Sequence, residues 1–483
     1  MEFLSTRGKD IINDRGEKIF LRGTCIGGWM NLEDFINAYP GTATTLKRQM
    51  QNTLGKEGSD YFFKRMADYF FAEADVAYIA SLGANVIRIP LNYREFEDDE
   101  APFVYKKAAF DRLDEAIEWC EKHQVYAILD VHAAAGWQNN HWHSDNERGA
   151  CMLWRHPHFQ ERLIRFWEAL ATHYKDNPTV AGYEILNEPN TANPDGEHPF
   201  DFYGNYKPDW PRINDLYQRA VEAIRKIDPK HIIFLEGDNY GRCFSGLTAP
   251  FADNLVYSSH NYVMPGFGPG EYPGYYDSPT GKVYWDKNKQ RSELLNHEGM
   301  KFCEKHQVPL LIGEFGSQYH GPEADVPYRL ASMKDQLEVY NEFGVNWTTW
   351  TFKDAGIMGC VTLDKNSEYL RIVEPVQEMK RFLGAENFVA QHWESPGRIK
   401  ARELSELIRV ASMEPTNGSD ETAYTFNYAA LTGFAAAMLQ PAYARRFSDV
   451  TEADIDRILS GFALENCVPN EKFIAILKEV LKN

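Results

Sequence analysis

Cysteine is sparse: seven residues, at 25, 120, 151, 243, 303, 360 and 467, are scattered over 483 with no C-x-x-C spacing. An odd, dispersed set excludes a disulfide framework and a cysteine-based zinc site, and it fits reduced thiols. Long apolar runs are missing too, and none reaches the length that crosses a bilayer. The opening residues "MEFLSTRGKDIINDRGEK" are charged throughout and lack the apolar core of a secretory signal. These absences predict a cytoplasmic protein with no membrane partner. Positive charge is in deficit, with 51 Lys and Arg against 70 Asp and Glu and a formal net charge of −19. A phosphate backbone would be repelled, so nucleic acid is excluded as a partner. A glycine-rich phosphate turn is also absent: "GTCIGGWMNLEDF" does not make the G-x-G-x-x-G spacing, which argues against an open dinucleotide-binding sheet.

What is present is a repeating pattern. Short apolar runs recur as "IFLRGTC" (19–25), "ANVIRIP" (84–90), "VYAILDVH" (125–132), "VAGYEILNE" (180–188), "HIIFLEG" (231–237), "NLVYSSHNY" (254–262), "PLLIGEF" (309–315) and "GVNWTTWTF" (344–352). Stretches of helical periodicity separate several of them, such as Phe110, Leu113, Ile117 and Cys120. Buried strands alternating with amphipathic helices imply a parallel sheet, because each crossover needs a helix. Eight repeats predict a closed (β/α)₈ barrel over residues 1–388. From 389 to 483 the pattern is helical, with "EPTNGSDE" as a connector and a Thr451 to Asp454 capping box, predicting a small C-terminal helical appendage. That tail is also the candidate surface for homo-oligomerisation.

Long insertions follow the strand ends at 29–75, 133–157, 189–212, 262–292 and 353–372, all on the C-terminal face where a barrel builds its active site. They carry many aromatics, among them Trp29, Trp137, Trp142, Tyr203, Tyr275 and Trp285. Singly, such residues pack loops together; as a set on one face they suit sugar rings, which stack on flat apolar surfaces.

Two strands end in acids, Glu188 in "EILNEPN" and Glu314 in "LLIGEFG". In a closed barrel both face one mouth. A carboxyl pair about 5–5.5 Å apart suits retaining glycoside hydrolysis, in which one attacks the anomeric carbon and the other protonates the leaving oxygen. The charge on the first raises the pKa of the second, which separates the roles. Arg88, His132, Asn187, His260, Tyr262 and Trp350 stand at the same strand ends and are candidate substrate-binding residues, with Arg88 keeping Glu314 ionised. Glu184 and Glu236 lie on strands, and Glu33, Asp34 and Asp238 near strand ends; an ion pair is expected for Glu184. "HWHSD" places His141, His143 and Asp145 at a spacing that could hold a metal, but no further ligand set is evident and retaining hydrolysis needs none, so a polar loop contacting substrate or solvent is the expectation. No metal and no cofactor is therefore expected.

The ordered set "ILNEP", "IGEFG", "VIRIP", "DVHAA", "SHNY" and "WTTWTFKD", spanning residues 17 to 385, resembles the motifs of glycoside hydrolase family 5. The resemblance implies that Glu188 is the general acid/base and Glu314 the nucleophile. It further implies that Asn187 binds the sugar 2-hydroxyl, Arg88 and Tyr262 touch the nucleophile, His132 and His260 line the subsite of the reacting sugar, and Trp350 is its stacking floor. The start "GGWMNLEDFINAYPG" resembles exo-acting intracellular β-mannosidase-type members. The expectation is a retaining exo-β-mannosidase acting on short oligosaccharides, including mannosides derived from N-glycan cores. A β-glucosidase or exo-β-glucanase stands second, and a barrel that binds sugar without turnover is the alternative from another class.

Overall fold

The computed structural model describes residues 1–191, 206–278, 281–386, 395–412 and 427–482. Tyr203, the connector at 414–421 and the expected boundary at 388/389 lie outside the described residues. Eight parallel strands close a barrel: β1 (Arg22–Cys25), β2 (Val86–Asn92), β3 (Tyr126–Ala133), β4 (Val180–Glu184), β5 (Ile232–Glu236), β6 (Leu255–His260), β7 (Leu310–Glu314) and β8 (Asn346–Thr349). Each coincides with one of the eight apolar runs, β2 and β3 extending one or two residues beyond theirs, and Trp347 pairing with Arg22 closes the ring between β8 and β1. These strands are buried on both faces, which is why they read as continuous apolar runs rather than alternating ones. Gly23 is needed where β1 meets β2, since a Cβ there would stand 1.8 Å from the Val86 carbonyl oxygen.

Amphipathic helices cover the barrel. In Lys107–Lys122 the buried residues are Ala109, Leu113, Ala116, Ile117 and Cys120, one stripe at helical spacing. Pro157 opens Pro157–Tyr174 at a position where its missing N–H costs nothing. The β5–β6 crossover departs from the expected plan and has only the four-residue turn Asp238–Gly241. Its segment "GDNYGRCFSGLTAPFADN" is broken by glycines and Pro250 and offers no apolar stripe. Below the barrel, the antiparallel strands Leu4–Arg7, Asp10–Asn13 and Lys18–Ile19 bring Leu4 and Ile11 against the inward-facing Val86, Ile128, Phe234 and Leu311. Among the described residues, no helix is long and apolar enough to cross a membrane.

The C-terminal helices Pro396–Ser412, Ala436–Arg445, Glu452–Leu459 and Glu471–Val480 lie on the barrel. The expected capping box is present: Thr451 Oγ1 accepts from the Asp454 N–H, and the Asp454 carboxylate accepts from the Thr451 N–H. Arg65 pairs with Asp456 at 2.5 Å, and Asn341 Nδ2 donates to the Val480 carbonyl at 2.8 Å. The tail also contributes a strand the helical pattern did not announce: Cys467–Pro469 pairs with Val361–Leu363 in the loop after β8. Three residues are too few to register as a run.

Candidate active site

Arg88 is the hub. It was expected to end β2, but the strand runs on to Asn92 and Arg88 reaches the mouth from inside the barrel, fully buried. Its Nε donates to Glu184 at 2.5 Å, Nη1 to Glu314 Oε1 at 2.7 Å and Nη2 to Asn187 Oδ1 at 2.8 Å, while Asp130 Oδ2 lies 3.1 Å from Nη2. A guanidinium whose five N–H donors are fixed in a plane can hold several partners at once. The ion pair expected for Glu184 is therefore part of the site's scaffold.

Glu314, the last residue of β7, accepts from Arg88 on one oxygen and from the Tyr262 hydroxyl on the other at 3.0 Å. Glu188 lies four residues beyond the end of β4, in a left-handed conformation at φ +46°. Its backbone N–H donates to the Glu236 carboxylate at 2.9 Å, which fixes that turn. Its side chain sits between two imidazoles, with His260 Nδ1 at 2.7 Å from Oε1 and His143 Nε2 at 3.1 Å from Oε2. Oxygens of Glu188 and Glu314 and a ring nitrogen of His260 converge within 4.8 Å of one another.

His132 is oriented from two sides. Its Nδ1 lies 2.7 Å from Asp130 Oδ2, so that nitrogen carries the proton, and its Nε2 accepts from Asn187 Nδ2 at 3.4 Å. The ring stacks on Trp350 with centroids 5.4 Å apart and planes 3° from parallel. All eight residues singled out from the sequence, Arg88, His132, Asn187, Glu188, His260, Tyr262, Glu314 and Trp350, thus meet at one mouth.

Asp130 and His143 also stand at the mouth, and neither is among those eight. Asp130 is two positions before His132 on β3 and shares its face, a signal present in the strand period. His143 belongs to the loop expected to face substrate or solvent, and the metal alternative for "HWHSD" does not converge. His143 faces Glu188, whereas Asp145 accepts from the Thr44 N–H at 2.8 Å and Asn92 Nδ2 at 3.1 Å, and His141 stacks on Tyr240 at 4.7 Å. Among the described residues, the set of three that approach one another as ligands would is Glu188, His260 and Glu314. There the Arg88 guanidinium already occupies Glu314 and opposes a second cation.

Charge is unbalanced at the mouth. Glu33, Asp130, Glu184, Glu188, Glu236 and Glu314 crowd it, and Arg88 is bonded to only some of them. Burial pushes the Asp130 carboxyl up to about 7 against the pull of Arg88, and lifts Glu236 well above the carboxylate range, with Glu184 and Glu188 adding to the effect. Burial raises Glu188 against the pull of His143 and Arg88, and it raises Glu314 to about 7, with Glu188 and Asp130 adding to the effect and His260 and Arg88 opposing it. Of the two acids, Glu314 is the one that accepts from Arg88 and Tyr262, and both bonds favour its ionised form. Desolvation drives the imidazoles the other way: His260 falls to about 4, and His132 and His143 well below the usual value. The rings beside Glu188 are neutral at neutral pH.

A closed parallel barrel with two acids at its C-terminal mouth, one on a cation and one between neutral rings, defines the class: a (β/α)₈ glycoside hydrolase. The family model "Cellulase (glycosyl hydrolase family 5)" matches residues 49–356, and the chain belongs to that family. A protein named beta-xylosidase from Phanerodontia chrysosporium is 32% identical, covering 99% of this chain and 98% of its own. Endoglucanase C from Acetivibrio thermocellus is 26% identical over 60% of this chain and 87% of its own. A solved structure titled as a glycoside hydrolase superposes with a TM-score of 0.51 at 20% identity, covering 70% of this chain and 90% of its own.

Proposed function

We propose that the protein is a retaining, exo-acting β-glycosidase that removes the terminal sugar from short β-linked glycosides by double displacement. The observation that carries this is the approach of Glu188 and Glu314 to within 4.8 Å, close enough for direct attack and too close for an intervening water. Glu314, held as the anion by Arg88 and Tyr262, attacks the anomeric carbon; Glu188, held protonated by burial, donates its proton to the leaving oxygen. In the second half Glu188 takes a proton from water, and that water releases the sugar from Glu314 with net retention. Asn187 Nδ2, fixed by the bond from Arg88 to its oxygen, is placed to reach the 2-hydroxyl.

The loop after β1 supports exo action, since residues 26 to 43 are all buried and Glu33 from this loop comes within 3.4 Å of His132 at the mouth. For the sugar, the whole-length likeness to a protein named beta-xylosidase moves a β-xyloside to first place, ahead of the β-mannoside suggested by "GGWMNLEDFINAYPG" and of a β-glucoside. A panel of nitrophenyl β-xyloside, β-mannoside and β-glucoside beside soluble xylan and mannan tests this. The expected result is release of monosaccharide with the β anomer formed first in proton NMR and no rapid loss of polymer viscosity. An α anomer formed first would overturn the mechanism, fast viscosity loss the exo reading, and binding without turnover the enzyme itself.

A further inference from the structure

Glu33 has no place in the double displacement, yet it is built into the same mouth. Its side chain is buried, and Oε1 stands 3.4 Å from His132 Nε2 without a hydrogen bond to any group. The imidazole cannot supply one, because its proton is on Nδ1, facing Asp130, and Nε2 already accepts from Asn187. A buried carboxyl oxygen left unpaired is costly, and such a group in a binding cleft marks where a ligand supplies the missing bond. Burial, together with the nearby Glu314 and Asp34, pushes the Glu33 carboxyl well above its ordinary range. It can then both donate to and accept from hydroxyls.

The order of residues says which hydroxyls. Going out from Glu314 and Glu188, the mouth is lined in turn by Asn187, by His132 bonded to it, and by Glu33, whose Oε1 stands 3.4 Å from His132 Nε2. With Asn187 at the 2-hydroxyl, continuing round a pyranose ring brings Glu33 to the 3- and 4-hydroxyls. A further sugar linked at either would need the space that Glu33 and its loop occupy.

The loop is held there from behind. Its carbonyls have no ladder of their own and are taken one after another by the C-terminal half: Tyr369 donates to Asn37 (2.5 Å), Gln377 to Ala38 (2.7 Å), Lys380 to Tyr39 (2.8 Å), and Gln440 to Pro40 (2.8 Å) and Thr42 (3.0 Å). Asn37 passes the constraint on, since its Oδ1 accepts from the Glu33 N–H at 3.1 Å.

We propose, building on the exo-glycosidase reading, that Glu33 is the specificity-determining residue that binds the 3- and 4-hydroxyls of the terminal sugar, and that Gln377 and Gln440 are positioning residues that set its depth. A site built to hydrogen-bond a hydroxyl rejects an analogue lacking it far more strongly than an apolar pocket can. Glu33→Ala should therefore lower kcat/KM on the preferred nitrophenyl glycoside about 100-fold, and Glu33→Gln, which still donates and accepts, about tenfold.

The decisive comparison uses the 3-deoxy and 4-deoxy glycosides. The wild-type enzyme should lose about tenfold or more on at least one of them, and Glu33→Ala should lose nothing further on it. The Gln377→Ala/Gln440→Ala variant should raise KM several-fold in the wild-type background and leave KM unchanged when Glu33 is already Ala. Thermal melts run in parallel separate this from a loss of folded protein. Activity of Glu33→Ala within threefold of wild type, or equal deoxy penalties in both, would overturn the assignment, and a KM effect that persists without Glu33 would overturn the positioning role. If the wild type turns over no glycoside, the enzyme reading fails and binding of free xylose, mannose and glucose by NMR decides instead: equal binding by wild type and Glu33→Ala overturns the Glu33 assignment.

Discussion

The Glu314 side and the Glu188 side of the mouth hold the same residue type in opposite ways. Glu314 ends a strand of the barrel ladder and receives a charged donor and a hydroxyl, one on each oxygen. Glu188 hangs from a left-handed turn beyond its strand, and its neighbours are two imidazoles that burial keeps neutral. Both carboxyls are lifted by desolvation, and only one has a direct cation to offset it. The contrast lies in the partners: the donors on Glu314 favour its ionised form and the neutral rings beside Glu188 offer no such charge, which is what the proposed roles of nucleophile and acid require.

Removing each carboxyl breaks the comparison most completely. Glu314→Ala should lose about 10⁵-fold or more in kcat on every glycoside, since nothing replaces the attacking oxygen. Glu188→Ala should lose about 10²–10⁴-fold on unactivated glycosides and much less on a dinitrophenyl glycoside, whose leaving group departs without a proton. Added azide should speed the second variant and yield a β-glycosyl azide, because a small anion can attack from the space Glu188 leaves. Steady-state rates and product NMR check both, and equal losses on the two leaving groups would end the division of roles.

Arg88→Lys comes next. One ammonium cannot reach Glu184, Asn187 and Glu314 together, so kcat/KM should fall about 10²–10³-fold, accompanied by a loss of stability of about 3 kcal/mol from buried carboxylates left unpaired. Denaturant titration reads the stability and rate measurements the activity; a variant as active as wild type would mean that Arg88 does not hold the nucleophile.

Smaller changes should move one limb of the pH profile at a time. Tyr262→Phe removes a hydrogen bond to the ionised form of Glu314, which raises its pKa, so the acid limb of kcat/KM should shift to higher pH. His143 Nε2 lies 3.1 Å from Glu188 Oε2, and a neutral ring donating there favours the ionised form, so His143→Phe, which keeps a ring against the carboxyl, should raise the Glu188 pKa and carry the alkaline limb to higher pH. A shift of the same limb in both variants would show that the two sides titrate only as a unit.

How much of this could be read from the sequence depends on range. The eight strands were legible because strands buried on both faces leave uninterrupted apolar runs, and strand ends such as Glu314 and His260 follow from them directly. The ion pair of Glu184 followed from an acid in an apolar run. Arg88 was found but misplaced, since "VIRIPLN" continues as strand through Pro90, a residue that ordinarily argues for a break. His143 was read only as part of a polar loop facing substrate or solvent, because a loop of 3-10 turns has no period from which to tell where its side chains point. The carbonyl clamp was out of reach: Gln440 meets Pro40 across 400 residues, and nothing local in either segment anticipates the other.

The weakest expected effect lies on the outer wall, in the loop that follows β6. There the strands Gly274–Ser278 and Gly281–Trp285 pair antiparallel with each other, so this insertion satisfies its own backbone, whereas the β1 loop relies on the C-terminal half. Its inward aromatics, Tyr272, Tyr276 and Trp285, form a small buried cluster, while Tyr275 is 68% exposed and meets Tyr284 across the strands at 5.0 Å. An exposed cross-strand aromatic pair contributes roughly 0.2–1 kcal/mol, and a self-supporting hairpin transmits little of that loss to the mouth. Tyr275→Ala should therefore leave kcat/KM on small aryl glycosides within twofold and lower the melting temperature by only about 1–2 °C. A drop confined to longer oligosaccharides would place Tyr275 under a leaving-group sugar, and a drop on aryl glycosides as well would mean that the exposed wall, like the buried one, shapes the reacting subsite.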